Sequence, residues 1–276
     1  MAALADPGFR HGEVAETGGA QGRDSVGPWN RLAIVTTSLA ALMTLAFVWS
    51  LVRPAPPQPV TRQVLSTEGW AGLIPEFGRY AALAPDGSSM ILPMASSGGG
   101  QGRLGLKLRG STEVTPIPGT EGIRDVVYAP DGEWIAYAIG SDLYKRPLIG
   151  GSAVKLAEDA ASNARVGLAW LDDGTILYDA SSELFRIPED GGDPLGVVQL
   201  SSAVWVHGLP GATGVLIVTA SDELHVVDLG DRSSEVVLEE VRRAWYAPTG
   251  HVVYVRTDGA VFAQPFDLGS LSVTGG

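Results

Sequence analysis

Short apolar runs of strand length recur along most of the chain, and each follows the same kind of polar turn. Trp134-Ile135-Ala136-Tyr137, Thr175-Ile176-Leu177-Tyr178, Val215-Leu216-Ile217-Val218 and His251-Val252-Val253-Tyr254 lie about 41, 40 and 36 residues apart. The turns before them are Pro130-Asp131-Gly132, Asp172-Asp173-Gly174, Pro210-Gly211 and Pro248-Thr249-Gly250. Proline presets φ for a turn and glycine supplies positive φ, so such triplets between apolar runs predict hairpins. An earlier copy, Pro85-Asp86-Gly87 before Met90-Ile91-Leu92, stands about 45 residues upstream.

A second pattern runs in phase with the first. Leu143-Tyr144-Lys145-Arg146-Pro147, closed by Gly150-Gly151, matches Leu184-Phe185-Arg186-Ile187-Pro188, closed by Gly191-Gly192. Leu224-His225-Val226-Val227 and Val261-Phe262-Ala263-Gln264-Pro265 are looser copies, at steps of about 40 and 37 residues. Each unit reads as an inner strand, a Pro-Asp-Gly turn, a second strand, a short turn, a third strand, a Gly-Gly turn and an outer strand. A period of this size made of strands and turns predicts an all-β fold, a β-propeller over residues 61–276. A sandwich or a β-helix would not explain the regular period and the repeated turn chemistry together.

The apolar pattern changes near the N-terminus. Leu32 to Val52 carries no charge and is flanked by Arg31 and Arg53. A helix of about 20 such residues crosses a hydrocarbon core of about 30 Å, so residues 31–53 are expected to form one transmembrane helix. Trp29 and Trp49 stand near its ends, where interfacial aromatics belong. The run is too long, and the polar segment before it too extended, for a cleaved signal peptide. Residues 1–30 are rich in Gly and Ala and are expected to be a disordered tail; residues 54–60 carry prolines and are expected to form a stiff stalk.

The net charge of −12 excludes the basic surface that a nucleic-acid binder needs. The chain has no cysteine, which removes disulfides and cysteine-bound zinc from consideration. The partners expected are therefore the membrane, through residues 32–52, and a protein, peptide or small anionic ligand.

The order of anchor, Arg-Pro-rich stalk and Pro-Asp-Gly repeats resembles the C-terminal half of bacterial membrane-anchored serine/threonine protein kinases that carry a TolB-like propeller. Pro116-Ile117-Pro118-Gly119-Thr120-Glu121-Gly122 and Ala129-Pro130-Asp131-Gly132-Glu133-Trp134-Ile135-Ala136 carry the resemblance. Asp173-Gly174-Thr175-Ile176 and Pro248-Thr249-Gly250-His251-Val252-Val253-Tyr254 continue it. The resemblance implies a propeller outside the inner membrane, acting as a sensor or protein-binding module, with the N-terminus in the cytoplasm. It also implies six blades, whereas residues 60–276 have room for about five, so either an incomplete propeller or a five-bladed ring is expected. The kinase motifs His-Arg-Asp, Asp-Phe-Gly and Val-Ala-Ile-Lys do not occur, and the chain as it stands is not expected to be an enzyme.

Other candidate chemistry is sparse. Gly100-Gln101-Gly102-Arg103-Leu104-Gly105 matches a dinucleotide fingerprint in spacing. It lacks the flanking strand and helix and reads as a hairpin loop. His11, His207, His225 and His251 have no ligand spacing, and neither a metal nor a cofactor is implied. No G-x-S-x-G elbow marks a hydrolase domain. One constellation rises above this background. With the turns aligned at Asp131, Asp172 and Thr249, residues Arg124, Arg165 and Arg242 share one position at the entry to an inner strand. The fourth unit has Val204 there, followed by Trp205. Inner strands line a propeller's channel, so Arg124, Arg165, Trp205 and Arg242 are the candidate ligand-binding residues at the channel mouth. Converging guanidinium groups would hold a carboxylate or phosphate by charge-assisted bonds. The competing role for each arginine is a local ion pair, and for Trp170, Trp205 and Trp245 it is packing between blades.

Overall fold

The computed structural model describes residues 28–52, 70–73, 81–96, 101–160, 167–200 and 203–275. The proposed tail over 1–30 lies outside them except for its last three residues, and the proposed stalk at 54–60 lies outside them entirely. The chain divides into two units, Met1–Thr61 and Arg62–Gly276.

In the first unit, α1 runs Pro28–Val52. Its side chains are described over 33–45 and at Trp49, and all of these are exposed. Among the described residues no helix is long and apolar enough to cross a membrane.

The second unit consists of five antiparallel sheets in chain order. Blade 1 holds β1 (Trp70–Leu73), β2 (Ala82–Leu83), β3 (Ser89–Ser96), β4 (Arg103–Leu108) and β5 (Thr115–Pro116). Blade 2 holds β6 (Ile123–Tyr128), β7 (Trp134–Ile139), β8 (Asp142–Pro147) and β9 (Val154–Ala157). Blade 3 holds β10 (Leu168–Trp170), β11 (Thr175–Ala180), β12 (Glu183–Pro188) and β13 (Leu195–Gln199). Blade 4 holds β14 (Ala203–Gly208), β15 (Gly214–Thr219), β16 (Leu224–Asp228) and β17 (Ser234–Leu238). Blade 5 holds β18 (Val241–Ala247), β19 (His251–Arg256), β20 (Val261–Asp267) and β21 (Ser272–Val273). In blade 1 the inner position is shared. β1 pairs with the end of β3 and β2 with its beginning.

The turns that the sequence marked are those that close the first hairpin of each blade. Gly87, Gly132, Gly174 and Gly250 have φ of 68, 73, 75 and 77°. Their amides donate to the carbonyls of Ala84, Ala129, Leu171 and Ala247 at 2.8, 2.9, 3.2 and 3.0 Å. This left-handed conformation is nearly free for glycine and costs other residues about 1 kcal/mol. The Gly-x-Gly-x-x-Gly match ends inside a strand: Gly105 sits within β4, paired with Leu92 of β3.

The core lies between the sheets. Tyr137 and Ile135 of blade 2 pack on Ile91 and Leu104 of blade 1. Tyr178 and Ile176 pack on Ala136 and Leu143. Val215 and Ile217 pack on Leu177 and Leu184, and Val252 and Tyr254 on Leu216 and Leu224. Blades 2, 3 and 4 thus turn one face of the second strand back to the blade before and the other forward to the blade after, as the period-2 alternation requires. Apolar clusters join blades 1 to 2, 2 to 3, 3 to 4 and 4 to 5; among the described residues none joins 5 to 1.

Candidate functional site: the central cavity

Because the first hairpins share one geometry, residues counted back from the turn fall at equivalent places on the inner strands. The amides of Ala84, Ala129, Leu171 and Leu209 donate to the carbonyls of Ser89, Trp134, Thr175 and Gly214 at 2.8 to 3.0 Å, and Ala247 pairs with His251 in blade 5. Two residues before each of these five stand Ala82, Val127, Ala169, His207 and Trp245. One from each blade, they all line a central cavity of about 520 Å³. The next position adds Leu83, Tyr128, Trp170 and Gly208 to the wall. A second cavity of about 200 Å³ shares Trp170, Asp172, His207 and Gly208 with the first. It extends it over the turns of blades 3 to 5, against Tyr246 and Pro248.

The walls are aromatic and fixed. Trp205 donates its indole N–H to the Ala244 carbonyl at 2.7 Å and meets Trp245 edge-on, with ring centroids 5.2 Å apart. Arg243 lies over the Trp205 ring at 5.2 Å, a cation–π contact. Trp170 donates to Glu189 Oε2 at 3.0 Å, and the Tyr128 hydroxyl shares a 2.9 Å bond with Ser89 Oγ. Burial pushes the Tyr128 phenol up from its ordinary pKa. Asp172 Oδ2 accepts from the Gly211 amide at 2.7 Å, so the carboxylate of the blade 3 turn is held by the turn of blade 4.

Of the residues that the sequence singled out, Trp205 lines this cavity and also packs between blades 4 and 5. Arg124 and Arg242 do not line it; they stand at the opposite ends of their inner strands. Each is the extra residue of a β-bulge. Ile123 and Asp125 pair with the consecutive residues Ile139 and Ala138, and Val241 and Arg243 pair with Arg256 and Val255. Val204 occupies the same bulge in blade 4. Arg242 Nε lies 3.7 Å from Asp222 of blade 4, the local ion pair that competed with an anion site. Arg165 lies outside the described residues. The turn geometry also corrects the alignment that brought it in. Asp173, not Asp172, matches Asp131, since Asp131 Oδ1 accepts from Glu133 N and Asp173 Oδ1 from Thr175 N. Counting back seven residues from Asp173 reaches Val166. Of the cavity residues, His207 and Asp172 were missed, while Trp170 and Trp245, read from the sequence mainly as packing between blades, line the cavity. Counting three residues back from the proline that opens the turn reaches His207 and Trp245.

No family model matches the chain, and no curated protein matches it. Solved structures do. The crystal structure of a nidogen/laminin complex aligns with a TM-score of 0.56 at 12% identity, over 71% of this chain and 77% of that one. The structure of a putative TolB from Agrobacterium tumefaciens aligns with a TM-score of 0.54 at 17% identity, over 70% of this chain and 78% of that one. The fold that these likenesses share is that of a β-propeller. At these identities the likeness concerns architecture, which the five blades show in this chain directly.

Proposed function

We propose that the chain is a binding module that presents the turn-side mouth of its central cavity to a protein, peptide or small ligand. The observation that carries this reading is the cavity itself: all five inner strands contribute to it, and its walls are aromatic with a few placed polar groups. Concave, largely apolar sites of several hundred Å³ are the usual form of a ligand site.

We propose further that α1 anchors the module at the inner membrane with the propeller on the extracytoplasmic side. At 1.5 Å per residue, a helix of 25 residues is about 37 Å long. Its threonine hydroxyls are satisfied within the helix. Thr36 and Thr37 donate to the Ala33 carbonyl at 3.0 and 2.8 Å, and Thr44 donates to the Ala40 carbonyl at 2.8 Å. Such back-bonding removes the cost of placing a hydroxyl in lipid. The side of the membrane and a sensory role follow from the sequence resemblance alone.

Site-specific photocrosslinking in cells tests the binding reading. A photoreactive residue replacing His207 should trap a discrete adduct, whereas one replacing the exposed Val236 on the outer strand β17 should not. Adducts from position 236 with none from 207 would move the interaction to the outer rim and overturn the proposal.

A further inference from the structure

The charge of the cavity lining favours one class of ligand. Neither of the two connected cavities is lined by a lysine or an arginine among the described residues. Their charged lining residue is Asp172. Its Oδ2 is fixed by the Gly211 amide, while its Oδ1 has no protein hydrogen bond among the described residues. A carboxylate held in place with a free oxygen at the edge of a cavity is arranged to receive a donor. The walls add the rings of Trp170, Trp245, Tyr128 and Tyr246, residues whose π-systems attract cations. The same protein already places cations over aromatic rings: Lys145 over Trp134 and Arg243 over Trp205, each at 5.2 Å. An anion entering this lining would lose hydration and meet Asp172 and the negative ring faces. The net charge of −12 adds a long-range field of the same sign.

Resting on the cavity as the binding site, we propose that it selects a cationic group on an apolar stem. The ammonium or guanidinium would be paired with Asp172, and the stem packed between Trp170 and Trp245. This reverses the charge class that the arginine pattern suggested. Free polyamines and the lysine or arginine side chains of a protein share this chemistry.

The test is calorimetric titration of the full chain in nanodiscs, with three probes: spermidine, a Gly-Lys-Gly tripeptide amide and inorganic phosphate. Spermidine or the tripeptide should bind, and phosphate should not. Spermidine binding alone points to a free polyamine, and tripeptide binding alone to a protein side chain. Asp172→Asn should weaken binding about tenfold; its amide oxygen still accepts from Gly211, so the turn is kept. Trp245→Phe should weaken it less, and Glu239→Gln, on the acidic rim away from the cavity, should leave it unchanged. Stronger binding of phosphate than of either amine, or an Asp172→Asn chain that binds as the wild type does, would overturn the inference. If crosslinking from position 207 persists in either case, the binding-module reading survives and only the ligand class falls.

Discussion

Asp125, Gly167, Trp205 and Arg243 occupy one place, four residues before the residue that closes the first hairpin. In blades 2, 3 and 4 that place faces the next blade, and its residues meet that blade in different ways; in blade 5, Arg243 lies over Trp205 of the blade before. Asp125, buried, accepts from Val126 N at 2.8 Å and from Leu168 N of blade 3 at 3.3 Å. Trp205 reaches the Ala244 carbonyl of blade 5. Gly167 leaves room instead, since a Cβ there would stand 2.4 Å from Val206 Cγ2 of blade 4. Gly167→Ala should therefore destabilise the propeller by about 1–3 kcal/mol, the usual cost of overpacking, as read in a denaturant melt. A near-neutral effect would mean that the blade 3–4 seam is looser than described. The glycine was not legible in the sequence because its cause is a valine about 40 residues away on another sheet. Tyr178 gives a second test. It is 3% exposed, and burial pushes its phenol up to about 12 from an ordinary 10. Above pH 10 the unfolded chain releases this proton while the folded chain keeps it, so stability is full below pH 10 and is lost as pH rises towards 12. The loss is on the order of 2 kcal/mol. Tyr178→Phe should shift the alkaline unfolding midpoint upward, and an unchanged midpoint would contradict this.

At the scale of the blade, one position compares four sheets. Leu143, Leu184 and Leu224 stand at the first or second residue of the third strands of blades 2, 3 and 4, each 0% exposed beneath the blade that follows. Val261 stands at the same place in blade 5 and is 66% exposed. The residue type is right for an interior; what it lacks, among the described residues, is a covering sheet. Leu184→Ala should cost about 2–4 kcal/mol through lost burial and the cavity left behind. Val261→Ala should cost less than about 0.5 kcal/mol. Equal costs would show that blade 5 is covered in solution. The hairpins of blades 2, 3 and 5 were legible because Pro-Asp-Gly and its variants determine the turn locally. The one-residue slip at Asp172 arose because the blade 3 turn has two aspartates in a row; aligning Gly174 with Gly132 selects Asp173, and the hydrogen bonds agree. The divided inner strand of blade 1 and the bulges at Arg124 and Arg242 leave no local signal, since a bulge is a property of the paired strand.

For the whole molecule, periodicity predicted the propeller and its five units, because the period reports the blade rather than any single contact. The cavity was half legible. Trp205 was named, but the partners that give the site its chemistry converge from three other blades. The anchor proposed for α1 predicts that the full chain stays with membranes through carbonate extraction and that protease added to spheroplasts digests the propeller. Release of the chain by carbonate would contradict it. The central claim is that repeated inner strands surround an accessible cavity while the sheets bury one another's faces from blade 1 to blade 5. The natural chain has no cysteine, so single cysteines report cleanly. The most direct measurement is the maleimide labelling rate of the full chain carrying His207→Cys, Leu224→Cys or Val261→Cys. The account predicts rapid labelling at 207 and 261 and very slow labelling at 224. Slow labelling at 207 would close the cavity, and slow labelling at 261 would cover blade 5; either result would contradict the account.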